Sequence, residues 1–466
     1  MQFLLNQRSI DTDRPEGMVV LDFLRQEQQL IGTRAACREG DCGACLVLLG
    51  ELRHGRLHYR PVNSCLLPLG RIAGRHIVTI EGVSGHEPNP LQQALVSATA
   101  IQCGFCSPGL VMALTAFLLN TQSSSPEEAI EAVSGNLCRC TGYMGIKRAL
   151  RDLCNRFDLG ASSKENRLAD LIEWRLLPSY FNEIPQHLAE LDPTPASNMR
   201  QGVKVAGGTD LFVQRPQQLL QQTLVFLPEQ ETIELQGNEC RIGAGTRIET
   251  LRQSGVMRQL FPAIGENLKL ICSTPVRQQA TVGGNLVNAS PIGDMSVFLL
   301  ALDASLTIAS TATLARRDIP LRKFFQGYKR IDLQSDEKLA DIRFRCPEKP
   351  LRFSFEKVSK RTYLDIASVN SAMSLEIKER VLTKVHISAG GVAAIPLYLH
   401  QTAEFLQGKS VSADVIKQAL ALAQQEISPI ADSRGSIAYK RLLLRQLLIA
   451  HFLKLLPDSV TWEDLR

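Results

Sequence analysis

At 466 residues the chain is too long for one ordinary domain and suits three or four. An apolar content of 44%, a net charge of only +5 and Lys and Arg spread along its length describe a mixed-charge globular surface and argue against a nucleic-acid partner. The N-terminus, "MQFLLNQRSIDTDRPEG", has no basic stretch followed by a long apolar core, and the most apolar helical run, "GLVMALTAFLLN", is too short to span a bilayer; the expectation is a cytoplasmic protein with no secretory signal and no membrane partner.

In that compartment the 12 cysteines are more readily metal ligands than disulfides. Residues 1–84 read as a small α+β unit: "MQFLLN" as a strand, "VVLDFLRQE" as a helix, and "CLVLLG", "RLHYRPV" and "HIVTIEGV" as strands. Within it, Cys37, Cys42 and Cys45 follow the spacing C-x4-C-x2-C, with Cys65 further on. This is the plant-type ferredoxin spacing for a [2Fe–2S] cluster. The cluster with its thiolates is anionic, and backbone N–H groups turned toward the sulfurs offset that charge. Gly40 and Gly43 let the loop turn them inward, and Ala44 keeps the remaining space small. The alternative is zinc, but structural zinc sites usually show two short knuckles, and here the fourth cysteine stands alone.

Residues 85–157 read as helices: "NPLQQALVSATA"; "SPGLVMALTAFLLNTQ", with Ser107 as N-cap and Pro108 in the first turn; "SPEEAIEAVSG", with a Ser125–Glu128 capping box and Gly135 as stop; and "YMGIKRALRDLC". Cys103 and Cys106, then Cys138 and Cys140, fall at helix ends, where two hairpins can bring four thiols together. Taken alone, this second group suits zinc as well as iron–sulfur. Cys154, Cys240, Cys272 and Cys346 are isolated and read as small buried hydrophobes. Residues 158–195 are polar, with prolines, and read as a linker carrying a short helix.

From about residue 196 strands, glycine turns and helices alternate. "VKVAGGTDLFV" and "ATVGGNLVNASPIGDM" each pair two glycines with polar neighbours, which can make a nest of N–H groups for a pyrophosphate or an ordinary tight turn. "IGAGTRIETL" starts like a dinucleotide fingerprint, but Ile248 stands where the third glycine belongs. In residues 346–466 the Lys- and Leu-rich "SIAYKRLLLRQLLIAHFLKLL" reads as an amphipathic surface helix.

Taken in order, "CREGDCGAC", "QCGFCSPGLVM", "GNLCRCTGY", "VAGGTDL", "RIGAGTRIETL" and "TVGGNLVNASPIGD" resemble the molybdenum hydroxylases, and within them the small iron–sulfur/FAD subunits of the two-subunit xanthine dehydrogenases. The resemblance spans essentially the whole chain. It departs after Tyr143, where Met144-Gly145 replaces the family's Arg-Pro.

The resemblance implies an α+β multidomain fold: a β-grasp ferredoxin-like [2Fe–2S] domain (1–84), a four-helix [2Fe–2S] domain (85–157), the linker, an FAD-binding domain of the vanillyl-alcohol-oxidase type (196–345) and a C-terminal α+β subdomain (346–466). It implies that Lys204, Val205, Ala206, Gly207, Gly208, Thr209, Asp210 and Leu211, with Thr281, Val282, Gly283, Gly284 and Asn285, bracket the FAD diphosphate. Asp294 and Lys357 then lie near the cofactor and Ile271 against the flavin ring. By the same resemblance the helical-domain cluster faces the molybdenum centre and the ferredoxin-like cluster faces the flavin. Electrons from purine hydroxylation on a molybdopterin-binding large subunit would pass through both clusters to FAD and on to NAD+, in an assembly of two small and two large subunits. No stretch is left over for a molybdenum cofactor, so no catalytic residue for the hydroxylation is expected on this chain. The rivals are the equivalent subunit of a hydroxylase for aldehydes or N-heterocycles, and a zinc-stabilised scaffold without redox function.

Overall fold

The computed structural model describes residues 1–85, 87–191, 201–347 and 350–466. Two compact units divide the chain: Met1–Leu227 with Ser273–Gln279, and Pro228–Cys272 with Ala280–Arg466. The linker boundary expected at residue 195 lies outside the described residues.

The first unit begins with five strands, β1 (Gln2–Leu5), β2 (Arg8–Asp11), β3 (Leu46–Arg53), β4 (Arg56–Asn63) and β5 (His76–Val78), in the order β2-β1-β5-β3-β4. β1 and β5 run parallel and the other neighbours antiparallel. Side chains alternate across a strand. Phe3, Leu5, Val47, Leu49 and Ile77 face one core with Val20, Phe23 and Leu24, while Leu4, Leu46, Leu48 and Val78 face a second core shared with the helices. Burial on both faces explains why "CLVLLG" is apolar without alternation. "VVLDFLRQE" forms a short helix, Val20–Asp22, that loosens into a π-type turn over Phe23–Glu27. "HIVTIEGV", expected as one strand, splits into β5 and a helical turn at Ile80–Val83, where Tyr180 donates to the Gly82 carbonyl.

The helices that follow are Pro90–Ser97, Ser107–Asn120, Pro126–Ala132 and Met144–Arg156. Every residue from Gly109 to Leu118 is buried, so the second of these is apolar all round because it is the centre of the bundle. Its N-cap is Cys106, not the expected Ser107. Ser125 does accept from the Glu128 N–H, but its own N–H goes to Ser123, so only half of the expected capping box forms. The stop expected at Gly135 falls earlier, with Ala132 the last helical residue.

Residues 158–191 are not a linker. They hold the helices Arg167–Glu173 and Ile184–Glu190, and Leu171, Phe181, Ile184 and Leu188 enter the bundle core. Arg167 is buried, its guanidinium donating to the carbonyls of Leu118, Leu159 and Ser162. A polar composition concealed this packing because the charge is satisfied by backbone oxygens. The unit ends with the parallel pair β6 (Val203–Val205) and β7 (Leu224–Phe226).

The second unit carries β8 (Ile233–Gln236), β9 (Glu239–Gly243), β10 (Ser305–Ser310), β11 (Arg316–Pro320), β12 (Phe325–Gly327), β13 (Arg330–Ile331) and β14 (Glu337–Arg345), then β15 (Phe353–Val358), β16 (Val369–Lys378), β17 (Val381–Gly390) and β18 (Leu397–Tyr398). One antiparallel sheet runs β11-β10-β14-β9-β8, a second β15-β16-β17-β18, and β12 pairs with β13. The helix Asp294–Leu300, buried from Met295 onward, lies against β16 and β17. Helices Ala413–Glu426 and Ile437–Leu455 close the C-terminal core; the second, expected on the surface, buries Leu444, Leu447, Leu448 and Phe452, and Lys440 is buried on Asp432.

Candidate functional site

The loop between Ala36 and Leu46 turns through left-handed backbone at Arg38, Gly40 and Gly43, with φ of 59°, 85° and 67°. Only glycine enters that region at little cost, which accounts for Gly40 and Gly43; Arg38 is held there by a bidentate ion pair with Asp22 at 2.5 and 3.1 Å. The four thiols gather as two pairs, Cys37 with Cys42 and Cys45 with Cys65. The Cys42 thiol and then the N–H groups of Glu39, Cys42 and Asp41 bring the Cys37 thiol down to about 5, against the opposing effect of burial. Glu39 N–H lies 3.4 Å from that sulfur. The Cys45 thiol is likewise lowered by Cys65, while Cys65 is pushed up by Cys45 and by burial.

The second group repeats the pairing at helix ends. Cys140 Sγ lies 3.6 Å from Cys103 Sγ, and Cys106 pairs with Cys138. Burial and Cys138 push the Cys106 thiol up to about 12. At Cys138 burial raises the thiol, but hydrogen bonds from Thr141 and Cys106 outweigh it. Two residues that sequence reasoning passed over shape this turn: Thr141 Oγ1 is 3.1 Å from Cys138 Sγ, and Tyr143 OH accepts from the Cys138 N–H at 3.0 Å. Their signal was the hydroxyls immediately after the last cysteine in "CRCTGY". Gly145, at the family departure, faces Thr99 and Ala100 so closely that a Cβ would lie 2.7 Å from Thr99 O.

The two groups are joined directly. Leu137 N–H donates to Cys42 O at 3.0 Å and Asn136 Nδ2 to Gly43 O at 3.1 Å. Gly109 packs so tightly on the same loop that a Cβ there would stand 2.1 Å from Gly43 O. A single residue, Leu137, therefore carries the hydrogen bond from Cys42 to the chain position before Cys138.

Two pairs per group suit a two-iron core, one pair to each iron. A single tetrahedral ion needs its ligands around one point. Among the described residues, no three His, Cys, Asp or Glu side chains are arranged to hold one ion.

The residues expected at a flavin divide between the units. In the first, Lys204–Leu211 runs from β6 through Gly208 (φ 76°) into the helix Thr209–Gln214. Arg71 Nη2 donates to Val205 O and Ala206 O at 2.7 and 2.6 Å, and Gln279 Nε2 to Gly207 O at 3.0 Å. A trans peptide points its N–H opposite its C=O. The N–H groups of Ala206, Gly207 and Gly208 therefore face away from these side chains, as donors must to cradle an anion.

The second glycine pair behaves differently. The N–H groups of Val282, Gly283 and Gly284 go to Thr246 O, Ala244 O and Thr281 Oγ1, so this loop is a capped helix start and not a nest. Gly283 is small because Ala244 is against it: a Cβ would meet the Ala244 carbonyl oxygen at 2.8 Å. What the loop leaves for a ligand is Asn285, whose buried Oδ1 has no partner. Nearby in this unit, Lys357 Nζ donates to Asp294 Oδ2 at 2.8 Å and to Leu270 O at 2.7 Å, and Asn370 Nδ2 donates to Asp294 Oδ1 at 2.5 Å. Asp294, Lys357 and the turn before Ile271 are thus brought together, with Ile271 itself buried in the core of the unit.

Four family models match in sequence: a 2Fe-2S iron-sulfur cluster binding domain over 3–69, a [2Fe-2S] binding domain over 79–151, an FAD binding domain in molybdopterin dehydrogenase over 180–345 and a CO dehydrogenase flavoprotein C-terminal domain over 354–455. The chain is homologous to the iron–sulfur and flavin region of the molybdenum hydroxylases. Xanthine dehydrogenase 1 of Arabidopsis thaliana is 29% identical over 528 residues, covering 94% of this chain and 38% of that protein. Xanthine dehydrogenase 2 of the same plant is 30% identical, covering 89% and 37%, and the xanthine dehydrogenase/oxidase of Rattus norvegicus is 25% identical, covering 97% and 38%. The chain thus spans less than two fifths of the length of these relatives. Among solved structures, the carbon monoxide dehydrogenase of Hydrogenophaga pseudoflava shares the fold at a TM-score of 0.51 and 23% identity, over 55% of this chain and 90% of that one. The reconstituted CO dehydrogenase of Oligotropha carboxidovorans matches at 0.50 and 25%, over 53% and 88%. The expected fold class holds: two [2Fe–2S] domains, a flavin domain of the molybdopterin-dehydrogenase type and a C-terminal domain. No helix among the described residues is long and apolar enough to cross a membrane.

Proposed function

We propose that this chain is the electron-transfer subunit of a xanthine dehydrogenase whose partner chain carries the molybdenum cofactor and oxidises hypoxanthine to xanthine and urate. In this reading Cys37, Cys42, Cys45 and Cys65 ligate one [2Fe–2S] core, and Cys103, Cys106, Cys138 and Cys140 the other. Lys204–Leu211, Thr281–Asn285, Ile271, Asp294 and Lys357 serve FAD. Bound there, the clusters would supply one-electron transfer and FAD the conversion of single electrons to the pair that NAD+ requires. The chain's own residues position them. The N–H groups of Glu39, Asp41 and Cys42 offset charge on the Cys37 sulfur, and Thr141 does so for Cys138. The Leu137–Cys42 hydrogen bond holds the two cysteine groups at fixed separation. Lys357 neutralises Asp294 and fixes the turn before Ile271. An assembly of two copies of each subunit in the cytoplasm completes the reading.

The observation that carries it is the gathering of eight thiols into two sets of two pairs. The test is the visible spectrum of the purified chain, with iron and flavin analysis. A red-brown protein holding two irons per cluster and one FAD should be bleached by NADH and untouched by hypoxanthine until the partner is added. A colourless zinc protein, or a lone chain that makes urate, would refute the reading. A second reading, favoured by the CO dehydrogenase flavoprotein match over 354–455, keeps the electron path and changes the partner's substrate; it wins if the completed complex is bleached by another donor and not by purines.

A further inference from the structure

The chain leaves the second unit after Cys272, contributes Ser273–Gln279 to the first, and returns at Ala280. This seven-residue strap grips the first cysteine group at both ends. Ser273 Oγ donates to Gly40 O at 3.4 Å, and Val276 packs on the Gly40 α-carbon, where a Cβ would meet its Cγ2 at 2.8 Å. Gln279 Nε2 donates to Leu66 O, the residue after Cys65, at 2.6 Å, and Arg60 Nη1 fastens the strap through Gln278 O at 2.7 Å. Ser273 and Pro275 also back Gly135, just before the Asn136–Leu137 link.

Gly40 lies between Cys37 and Cys42, and its carbonyl is held from a second side by Asn63 Nδ2 at 3.2 Å. Peptide planarity turns the consequence inward. With the Gly40 carbonyl anchored by Asn63 and Ser273, the N–H of Asp41, on the same peptide, must point the opposite way. That N–H is one of those bearing on the Cys37 sulfur. Donors aimed at cluster sulfurs favour the reduced, more negative state, so whatever fixes their aim sets the potential.

We propose that the Ser273–Gln279 strap is the element that sets the reduction potential of the first cluster, with Ser273 as the positioning residue acting through the Gly40–Asp41 peptide; Asn63 holds the same carbonyl and also meets Cys45 Sγ through its Oδ1 at 3.8 Å. The proposal rests on the reading of Cys37, Cys42, Cys45 and Cys65 as cluster ligands. It makes the potential of that cluster depend on a segment whose two flanks belong to the second unit.

The experiment is potentiometric titration of the intact chain, followed by the electron spin signals of both clusters. Ser273→Ala should lower the ratio of reduced to oxidised first cluster at fixed potential about threefold to tenfold, tenfold being about 59 mV for one electron. The second cluster should not move. Ser273→Thr, which keeps the hydroxyl, should restore the native value, and Asn63→Leu should lower the ratio by at least as much as Ser273→Ala. An unchanged first cluster in Ser273→Ala, or an equal shift of both clusters, overturns the proposal; a shift in Asn63→Leu alone overturns it too, because Asn63 also meets Cys45 Sγ through its Oδ1 at 3.8 Å. A native chain that binds iron but gives no first-cluster signal overturns instead the ligand reading beneath it.

Discussion

The two cysteine groups carry the same number of thiols in different surroundings. In the first, Cys45 and Cys65 are buried, strands and loop enclose the sulfurs, and a strap from far along the chain closes over Gly40. In the second, Cys103 and Cys140 are exposed at helix ends while Cys138 is buried, and the Phe105 N–H, Thr141 and Tyr143 supply polar support. Burial and hydrogen bonding tune an iron–sulfur centre as much as ligand type does. Four thiols can thus be enclosed in one place and partly open to solvent in the other, and the Leu137–Cys42 hydrogen bond is where the two environments meet.

The largest effect that separates the groups is all-or-none. Cys42→Ser should abolish one electron spin signal and Cys106→Ser the other, each leaving its companion intact; loss of both from one folded variant would merge what the structure keeps apart. Next comes the joint between them. Gly109→Ala gains about 1 kcal/mol of helix propensity, yet its Cβ must displace the backbone at Gly43 O. The net cost should be about 2–3 kcal/mol in chemical denaturation, because the clash is with main chain and cannot relax by a rotamer change.

Acid should distinguish the groups by a similar amount. His76, the first residue of β5 in the first group's sheet, is buried and neutral, receiving the Tyr59 hydroxyl at Nδ1 and bonded through Nε2 to Asn6 O. Burial lowers it from 6.5 to about 4. Between those values the unfolded chain binds the proton more readily, so stability fully present above about pH 6.5 drains away as pH falls toward 4, by about 3 kcal/mol. The helical region has no buried histidine among the described residues. In an acid titration the sheet's amide protection should fail first, and His76→Gln should flatten the dependence. The smallest effect is chemical access. In iron-stripped protein a charged alkylating reagent should modify Cys103 and Cys140 about tenfold faster than Cys45 and Cys65, as exposure governs attack.

What could be read from the chain alone was local. Cysteine spacing announced the groups because ligands on one turn must be close in sequence, and the strand at Leu46 and the helix after Pro108 were visible in apolar runs. What escaped was either long-range or disguised. The strap reaches back more than 200 residues, so nothing near "STPVRQQ" hints at its targets. Arg167 made a packed segment look like a tether. The pair Gly283-Gly284 mimicked the pair Gly207-Gly208, yet only carbonyls held by Arg71 and Gln279, remote from the motif, turn the first into a donor nest.

The strap also has a consequence in time. Its hydrogen bonds to Leu66, Arg60 and Gly40 join residues 213, 218 and 233 positions apart. At about 5–20 residues per second of synthesis, roughly 10–45 s separate the emergence of the first loop from that of the segment that closes over it. During translation the ferredoxin-like sheet can form while its cysteine loop still lacks one wall. If Cys37, Cys42, Cys45 and Cys65 ligate the cluster as proposed, iron can reach them before that wall, Ser273–Gln279, is made.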